Sequence, residues 1–303
     1  MCRLAIIILN KDNNKLLFNC LRSIKDKTKF QNYHIYVADT GSKQSSLLEI
    51  DNFLKKNFTN NATLISFDFY NFAKINNIVV EKYIKDENLI LFCNNDIELI
   101  DDCITEGVKI MNEEPSRFGT IGFKLLHKDK TIGHAGQKLF LFKKNSKYEV
   151  FFMKTQNKDE IHFSGVHHRR FDNNIPEPVF GNTGALMLTS KDIFLKIGKF
   201  NEIYEGCYED VEYNIECLLL NRINLFLPNK AFHFTSQTRN INKDKKSIMS
   251  KDFYNYLRPF INKHANELVK LGFSTIIDMN TFFKKIKSMN DNEKNEALKF
   301  LMS

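Results

Sequence analysis

A chain of 303 residues is long enough to bury a sizeable core, so we expect one large domain or one domain with an appendage. Its composition, 43% hydrophobic and 26% charged, is ordinary for a soluble globular protein. The net charge of +8 favours anionic partners such as nucleotides, nucleic acids or an acidic membrane surface. The basic residues are dispersed along the sequence, however, which argues against a dedicated nucleic-acid-binding surface. We therefore predict no nucleic acid among the partners.

The cysteines and the first apolar run indicate the compartment. None of the six cysteines lies at Cys-x-x-Cys spacing, and several fall within apolar patterns. Such a pattern indicates reduced core cysteines rather than a disulfide framework or a zinc site. The apolar run at residues 4–9 is too short for a signal sequence or a membrane-spanning helix. These features predict a cytoplasmic protein.

The first third of the chain alternates between buried strands and amphipathic helices. Apolar runs predict strands at residues 4–9, 35–38, 63–67 and 89–93. Each run is followed by apolar residues at helical spacing, which predict helices that pack back on the sheet. Four successive strand–helix units imply an α/β fold with a mainly parallel sheet and right-handed crossovers.

Polar side chains follow three of these strands, namely Asn10, Asp39 and Asp96. No strand is followed by Gly-x-Gly-x-x-Gly or by a phosphate-binding loop, so the dinucleotide-binding and nucleoside-triphosphatase versions of this architecture lose support. Each polar residue alone could be a cap or turn residue, and Asn94-Asn95-Asp96 alone favours a turn. Three at successive strand ends instead predict a nucleoside and metal site, because open α/β sheets bind ligands at this edge.

The pattern changes after Pro115. Short strands predicted at residues 120–125, 131–142 and 148–153, with turns between them, indicate an antiparallel addition at the edge of the sheet. Residues 157–174 show no clear periodicity and are predicted to form a mobile loop. That loop is either a lid over an anionic donor or a solvated surface loop.

A second polar group comprises Glu209 and Asp210, which directly precede apolar residues at helical spacing and are predicted at a helix N-terminus. The helix dipole favours acidic residues there by roughly 0.3–1 kcal/mol each, so capping is one interpretation. Capping does not explain why two adjacent acids stand beside Glu205 and Glu212, where like charges repel. A catalytic pair explains it, because one carboxylate can deprotonate an acceptor hydroxyl while the other orients it.

His233 alternates with Phe232 and Phe234 along a predicted strand, so it lies on the face opposite to the two rings. A single histidine in such a place is either satisfied structurally or ligates a metal. Asp96 by itself is a sparse ligand set. One carboxylate, one imidazole and two phosphate oxygens would suit Mn²⁺ or Mg²⁺.

The order of these residues resembles family 2 of the glycosyltransferases, which have the GT-A fold, and in particular the bacterial rhamnosyltransferase-like group. The resemblance covers residues 3–239. It rests on Asn10, on Asn71-Phe72-Ala73 with Asn76, on His134-Ala135-Gly136, and on residues 37–42, 91–96, 181–188, 198–202, 209–212 and 233–239. Any one of these segments is weak, whereas their joint order is specific.

The resemblance implies an inverting hexosyl- or deoxyhexosyltransferase that uses a nucleotide-diphospho-sugar and a divalent cation, Mn²⁺ or Mg²⁺. It implies that Asp96 and His233 bind the metal. It also implies that Asp210, with Glu209, activates the acceptor hydroxyl, and Asp39 matches the acid that contacts the nucleobase. The implied nucleotide-sugar site comprises Asn10, Asp39, Asn76, Asn94, Asn95, Asp96, Gly184 and Arg239.

Two segments depart from the family pattern. Residues 198–202 read Gly-Lys-Phe-Asn-Glu where Gly-Gly-Phe-Asp-Glu is usual, and residues 209–212 read Glu-Asp-Val-Glu where Glu-Asp-Val-Asp is usual. The second departure leaves Asp210 in place, but both weaken any inference about the donor sugar. Together with Asn94 in place of an acid, they keep open an alternative: a non-catalytic nucleotide-sugar-binding or scaffold protein on a GT-A fold.

From Lys243 onward the pattern is helical and lies outside the resemblance. We therefore predict a glycosyltransferase domain at residues 1–242 and a helical C-terminal extension at residues 243–303. The extension is predicted to pack against the catalytic domain or a second subunit, and membrane-surface docking is the alternative because lysines border its last helix.

The resemblance implies that a sugar is transferred to a saccharide or lipid-linked acceptor in bacterial surface polysaccharide assembly. The predicted location is the cytoplasm, with peripheral attachment to the inner face of the membrane as the alternative. The donor sugar, the acceptor and the linkage are not specified by the residues.

Overall fold

The computed structural model describes residues 2–144, 147–150, 166–169, 174–234 and 243–278. The strands are β1 (Leu4–Asn10), β2 (Tyr33–Asp39), β3 (Ala62–Ser66), β4 (Leu89–Asn94), β5 (Ile97–Leu99), β6 (Phe118–Leu126), β7 (Ile132–His134), β8 (Gln137–Lys144), β9 (Lys147–Glu149), β10 (Val166–His168), β11 (Glu177–Val179), β12 (Leu186–Ser190), β13 (Ile223–His233) and β14 (Ser274–Asp278). The helices are α1 (Asn14–Lys27), α2 (Gln44–Asn57), α3 (Phe72–Lys82), α4 (Cys103–Glu113), α5 (Lys191–Ile197), α6 (Glu209–Leu219), α7 (Lys243–Asp252) and α8 (Arg258–Lys270), with a π-helical segment (Phe253–Leu257) between the last two.

The central sheet has the order β11-β13-β6-β12-β4-β1-β2-β3. Strand β1 pairs in parallel with β2 and β4, and β2 pairs in parallel with β3. Strand β12 is antiparallel to both of its neighbours, β4 and β6. The expected mainly parallel α/β sheet with an antiparallel addition is therefore confirmed. A second, smaller sheet has the order β10-β8-β14, with β9 paired to β8.

The core lies on both faces of the central sheet, as strand β1 shows, because this strand is apolar at every position before Asn10. Leu4, Ile6 and Ile8 of β1 face a cluster that includes residues of α1, α2 and α4. Ala5 and Ile7 of the same strand face a second cluster with residues of α3, α5 and α6. Burial of each large aliphatic side chain contributes roughly 1.5–3 kcal/mol, which explains why this strand has no polar residue before Asn10.

Two differences from the predicted elements have local causes. The strand predicted across residues 131–142 is two strands, β7 and β8, because Gly136 between them has a φ of +87°, a conformation that suits glycine. The three-residue strand β5, which directly follows Asp96, was not predicted, since a run this short has no readable alternation. It matters for the site because β5 pairs with the end of β13.

The C-terminal segment contains the expected helices and one strand in place of helix. Apolar residues around Ile276 and Ile277 predicted further helix, but Ser274–Asp278 is strand β14, parallel to β8. That prediction is wrong because Gly272, with a φ of +78°, ends the helix and the β-branched residues after it suit a strand. The division between residues 242 and 243 stays a prediction. Within the described residues, no helix is both long and apolar enough to cross a membrane.

The C-terminal helices share a core with the rest of the chain. Leu257, Ile261 and Leu268 belong to the same buried cluster as Val211 and Ile215 of α6. In addition, the buried carboxylate of Asp252 accepts hydrogen bonds from the backbone N–H groups of Glu205 and Gly206, at 3.0 and 2.7 Å. The C-terminal helices therefore hold the segment that leads into α6.

Candidate functional site

The first group of predicted site residues lies at the carboxyl ends of β1, β2 and β4. The parallel register places Asn10 beside Asp39, and Leu9 beside Asn94. Asn10 donates a side-chain hydrogen bond to Asp39 Oδ2 at 3.3 Å and accepts one from Asn95 Nδ2 at 2.8 Å. Asp39 also accepts hydrogen bonds from the backbone N and the Oγ of Ser42, at 2.8 and 2.6 Å. Asn10, Asp39 and Asn95 are buried, so this group is tied together by its own side chains.

The second group comprises Asp96, His233 and Asn94. Antiparallel pairing of β13 with β5 aligns His233 with Ile97, which brings the imidazole beside Asp96. His233 Nε2 lies 3.3 Å from Asp96 Oδ1 and 3.4 Å from Asn94 Nδ2. Asp96 Oδ1 is buried and accepts no hydrogen bond from a described residue. Asp96 Oδ1 and His233 Nε2 therefore lie next to each other, and no described residue donates a hydrogen bond to the carboxylate oxygen.

The third group lies where α6 begins. Asp210 Oδ2 accepts a hydrogen bond from the backbone N–H of Gly184 at 2.8 Å, whereas Oδ1 accepts none from a described residue. The backbone N–H of Asn94 donates to the carbonyl oxygen of Ala185, so the segment that holds Asp210 also contacts the end of β4. Tyr208, just before the helix, has a φ of +89°, a left-handed conformation that costs a non-glycine residue about 1–3 kcal/mol.

A cleft of about 400 Å³ connects the second and third groups. Asn94 and His233 line one part of it, and Gly184, Glu209 and Asp210 line another. A volume of this size falls in the range of ordinary small-molecule sites. The sequence-predicted acid of the helix and the predicted metal-binding histidine therefore face the same space.

Two histidines that were not predicted as site residues also line the cleft. His134 Nδ1 lies 2.6 Å from His168 Nδ1, and the backbone N–H of Thr183 points to His134 Nε2 at 3.4 Å. A neutral His134 that accepts at Nε2 carries its proton on Nδ1 and donates it to His168. Burial of His134, followed by the nearby His168, His233 and Arg169, lowers the pKa of its imidazole well below the usual value. His134 is therefore neutral.

The signal that could have found His134 was its place in His-Ala-Gly, one of the segments on which the resemblance rests. Its meeting with His168 was not readable, because the two residues are 34 positions apart and come together only through the pairing of β10 with β8. Of the loop predicted at residues 157–174, only residues 166–169 and 174 are described, and Val166–His168 form strand β10 because they pair with β8.

The other predicted site residues do not line the cleft or cannot be placed. Asn76 is buried in α3, where its Nδ2 donates to the carbonyl oxygen of Phe72 at 2.9 Å. Arg239 lies outside the described residues. Residues 198–202, which the resemblance includes, line a separate pocket of about 360 Å³ with Glu212 and Glu216 of α6. The roles implied for Asn76 and Arg239 stay predictions.

A model of the family described as glycosyl transferase family 2 matches residues 4–198. The match runs from β1 to the end of α5 and covers more than half of the chain. The chain belongs to glycosyl transferase family 2. The three polar strand ends lie within the matched residues, whereas Asp210 and His233 lie beyond them.

The family 2 chain is similar over much of its length to one curated protein, the O-antigen biosynthesis protein RfbC of Myxococcus xanthus. The two are 23% identical over 224 residues, which cover 70% of this chain and 16% of that protein. The chain therefore spans about one sixth of the length of this relative.

Two solved structures share the fold. The mannosyltransferase PcManGT from Pyrobaculum calidifontis, in complex with GDP-Man and Mn²⁺, superposes with a TM-score of 0.54 and 10% identity, over 78% of this chain and 58% of that chain. GalNAc-T7 with UDP, GalNAc and Mn²⁺ superposes with a TM-score of 0.60 and 12% identity, over 95% of this chain and 57% of that chain. At these identities the likeness establishes the GT-A fold alone.

The residues of the second group fit a divalent cation in part. Asp96 Oδ1 is a buried carboxylate oxygen that accepts no hydrogen bond from a described residue, and His233 Nε2 lies 3.3 Å from it. Carboxylate and imidazole are both ligands of Mn²⁺ and related ions. No cluster of three or more His, Cys, Asp or Glu side chains occurs in the part of the chain that is described, so a cation here would have two protein ligands and would need further ones from a bound molecule.

Proposed function

We propose that this family 2 chain is an inverting glycosyltransferase that moves a hexosyl or deoxyhexosyl group from a nucleotide-diphospho-sugar to an acceptor hydroxyl. One observation carries the proposal. His233 and Asp210 line one cleft, and Asp96 lies against His233, with its Oδ1 3.3 Å from His233 Nε2. Both acids have a carboxylate oxygen without a hydrogen-bond partner among the described residues. Such atoms are what a sugar transfer needs, one at the leaving diphosphate and one at the acceptor.

Asp210 is the base in this proposal. Its Oδ2 is held by the Gly184 N–H, so the carboxylate has a fixed direction, and its Oδ1 is left to accept the proton of the acceptor hydroxyl. As that hydroxyl loses its proton to Oδ1, its oxygen attacks the anomeric carbon and the bond to the diphosphate breaks, which inverts the anomeric centre. Positioned general-base catalysis typically contributes about 10²- to 10⁴-fold. Glu209, the preceding residue, lines the same cleft and adds negative charge there.

Asp96 and His233 would hold Mn²⁺ or Mg²⁺. When bound, the cation supplies electrostatic stabilisation of the departing nucleoside diphosphate. The chain itself supplies the direction of the two ligands, because the pairing of β13 with β5 fixes His233 against Asp96. The backbone N–H of Phe234 donates to the carbonyl oxygen of Asp96 at 3.0 Å and locks the two strand ends together.

His134 and His168 form a polar wall of the same cleft. A neutral His134 donates from Nδ1 to His168 Nδ1. Imidazole groups on this wall suit contact with phosphate oxygens or sugar hydroxyls. This wall is proposed to contact the bound donor or the bound acceptor.

The similarity to the O-antigen biosynthesis protein supports a role in bacterial surface polysaccharide assembly, with a saccharide or lipid-linked acceptor. The proposed location is the cytoplasm, or the inner face of the membrane by peripheral contact. The proposed domain arrangement is a glycosyltransferase domain at residues 1–242 followed by the extension at 243–303, through which peripheral contact or homodimerisation would occur.

A panel of nucleotide sugars tests the proposal directly. The purified chain is incubated with UDP-, dTDP-, GDP- and CDP-sugars, each with Mn²⁺, with Mg²⁺ and with EDTA, and release of the nucleoside diphosphate is measured. We expect release from a subset of donors, lost in EDTA. With an acceptor, proton NMR of the product gives the anomeric configuration, and a retained configuration would contradict the assignment of Asp210 as a base in a single displacement.

One observation favours the alternative of a non-catalytic nucleotide-sugar-binding protein. The carboxylate of Asp39 is fully buried and bonded within the chain, so its expected contact to a nucleobase needs a rearrangement. Calorimetric titration with the four nucleoside diphosphates, with and without Mn²⁺, separates the possibilities. Metal-enhanced binding together with turnover supports the enzyme, whereas binding without turnover of any donor supports the alternative.

A further inference from the structure

Behind the cleft, four polar side chains form one buried hydrogen-bonded group, the polar cluster. Its members are Thr120 of β6, Asn182, Asn214 of α6 and Asn224 of β13, and each is 0% exposed. The Thr120 hydroxyl lies 2.8 Å from Asn214 Oδ1 and 3.0 Å from Asn224 Oδ1, and Asn182 Nδ2 donates to it at 3.0 Å. Three strands or segments that are distant in sequence thus meet on one turn of α6.

Stability alone does not account for the polar cluster. Buried amides and hydroxyls lose hydration and regain it only through complete hydrogen bonding. Asn182 Oδ1 accepts no hydrogen bond from a described residue, so the cluster retains part of that cost. Apolar side chains of similar size would fill the same space without it.

The surrounding backbone leaves room for these side chains through two glycines. A Cβ at Gly122 would lie 2.3 Å from Asn182 Oδ1, and a Cβ at Gly181 would lie 3.0 Å from Asn214 Cβ. Contacts of 2.3 Å do not occur between real Cβ atoms and their neighbours, so Gly122 is required by the asparagine beside it. The cluster is therefore built into the backbone of β6 and of the segment before β12.

The polar cluster reaches Asp210 by two connections. Asn214 lies one helical turn after Asp210, and its Nδ2 donates to the carbonyl oxygens of Asp210 and Asn182, at 2.6 and 2.8 Å. In return, the backbone N–H of Asn182 donates to Asn214 Oδ1 at 3.0 Å. Two residues further along, the N–H of Gly184 donates to the Asp210 carboxylate. The segment at residues 182–184 is thus fastened to α6 at two points, one of which is the proposed base.

We propose that Asn214 is a positioning residue, which, with Thr120 as its support, sets the orientation of the Asp210 carboxylate by fixing residues 182–184 against α6. The inference rests on the proposed function, because it concerns how the proposed base is aimed. Thr120 acts through Asn214, since its one hydroxyl proton goes to Asn214 Oδ1 at 2.8 Å, the nearer of its two acceptors, while its oxygen accepts from Asn182 Nδ2. Neither residue touches the cleft.

A matched set of threonine variants tests the inference. Thr120→Val removes the hydroxyl at nearly constant volume, and Thr120→Ser keeps it. Thr189→Val is the control, since the Thr189 hydroxyl is equally buried and also contacts α6, through Tyr213. Among the described residues it bonds Tyr213 and the carbonyl oxygen of Gly119 but no side chain of the polar cluster. We expect Thr120→Val to lower kcat by about 10- to 100-fold with an unchanged donor KM, because misplacement of a reacting group by about 1 Å has effects of that size. Thr120→Ser and Thr189→Val are expected to have the same kcat as the unmodified chain.

A double-variant measurement separates positioning from general loosening of the structure. If Thr120 acts through Asp210, then Thr120→Val has no further effect on the residual rate of Asp210→Asn. An equal loss in both backgrounds would overturn the inference, as would an unchanged kcat in Thr120→Val or an equal loss in Thr189→Val. If Thr120→Val does not fold, Asn214→Ser is used instead, because the short serine side chain cannot contact Asn182 and Thr120 together. A kcat of Asn214→Ser equal to that of the unmodified chain would overturn the inference.

The outcome also distinguishes this inference from the proposed function. If the unmodified chain and Thr120→Val turn over nucleotide sugars at the same rate, the positioning role alone is overturned. An unmodified chain that turns over no donor of the panel overturns both.

Discussion

The two sides of the sheet edge use their polar atoms differently. On the side of β1 and β2, Asn10 is hydrogen-bonded to both Asp39 and Asn95, and Asp39 also accepts hydrogen bonds from Ser42. On the side of β5, β13 and α6, Asp96 and Asp210 each keep one carboxylate oxygen that accepts no hydrogen bond from a described residue. Both sides carry polar residues at strand or helix ends, which is all that the sequence pattern can show.

The difference separates structural roles from chemical ones. A polar side chain whose hydrogen bonds are all made inside the protein stabilises a loop, and its removal is expected to affect folding first. A buried carboxylate oxygen that lacks a hydrogen-bond partner, such as Asp96 Oδ1, is costly unless a ligand or a proton supplies the partner. The carboxylate of Asp210 is only half-buried, so its Oδ1 is accessible to an acceptor hydroxyl. Four variants test whether this division holds, beginning with the largest expected effect.

Asp210→Asn is expected to lower the transfer rate by about 10²- to 10⁴-fold, because the amide cannot accept the acceptor proton. Affinity for the nucleoside diphosphate should stay the same, since the change is isosteric. Initial rates and calorimetric titration measure the two quantities. The control is Glu212→Gln on the same helix, whose carboxylate bonds Asn201 and Tyr204 away from the cleft. Full activity of Asp210→Asn would remove the base from the chemical side of the comparison.

Asp96→Asn is expected to abolish the enhancement of nucleotide binding by Mn²⁺. Replacement of partners that merely orient metal ligands costs about 10- to 100-fold in metal affinity, and loss of a ligand should cost at least as much. Titration of a nucleoside diphosphate with and without Mn²⁺ measures the effect. The matched change on the side of β1 and β2 is Asn95→Asp, which introduces a carboxylate next to Asp96. If Asp96→Asn keeps the full enhancement, the unpartnered oxygen does not bind the cation.

Asp39→Asn is expected to destabilise the chain by about 1–3 kcal/mol, because an amide cannot accept all the hydrogen bonds that Ser42 and Asn10 donate to the buried carboxylate. Denaturant unfolding gives the free energy. Asp51→Asn is the control, since Asp51 forms a partly exposed ion pair with Lys55, and such pairs contribute less than about 1 kcal/mol. Unchanged stability of Asp39→Asn would mean that the structural side has been assigned wrongly.

His134→Asn is expected to reduce the pH dependence of the free energy of unfolding in mild acid. The pKa of His134 is lowered by burial, so below its ordinary value of 6.5 the unfolded chain takes up a proton that the folded chain refuses. The stability that neutral His134 contributes is therefore complete above pH 6.5 and falls as the pH decreases below it, by up to about 1.4 kcal/mol per pH unit. Unfolding free energies between pH 7 and 5 test this, and parallel curves for the two proteins would contradict it.

Much of the fold was predictable because its signals are local. The strands at β1, β2, β3 and β4 are uninterrupted apolar runs, and the helices after them have apolar residues at regular spacing. The tail was partly misjudged, since the apolar residues after Gly272 belong to β14, whose partner β8 is more than a hundred residues away in the sequence. Periodicity cannot report a partner strand at that distance.

The candidate site was predictable in its members but not in their connections. Asp96, Asp210 and His233 could be named from residue type and order. That Gly184 holds Asp210, that β5 aligns His233 with Asp96, and that His134 meets His168 each depend on strand pairing between distant segments. Those contacts decide which polar side chains are hydrogen-bonded within the protein and which keep an atom that accepts no hydrogen bond from a described residue.

By itself, then, the sequence determined the parallel sheet, its polar edge and the acids at the start of α6, because hydrophobic periodicity and chain order are properties of neighbouring residues. Only the tertiary structure decided which polar atoms are already bonded. Hydrogen bonds of buried side chains join residues such as Thr120 and Asn214, 94 positions apart, and their geometry is fixed when the helices and the sheet pack together.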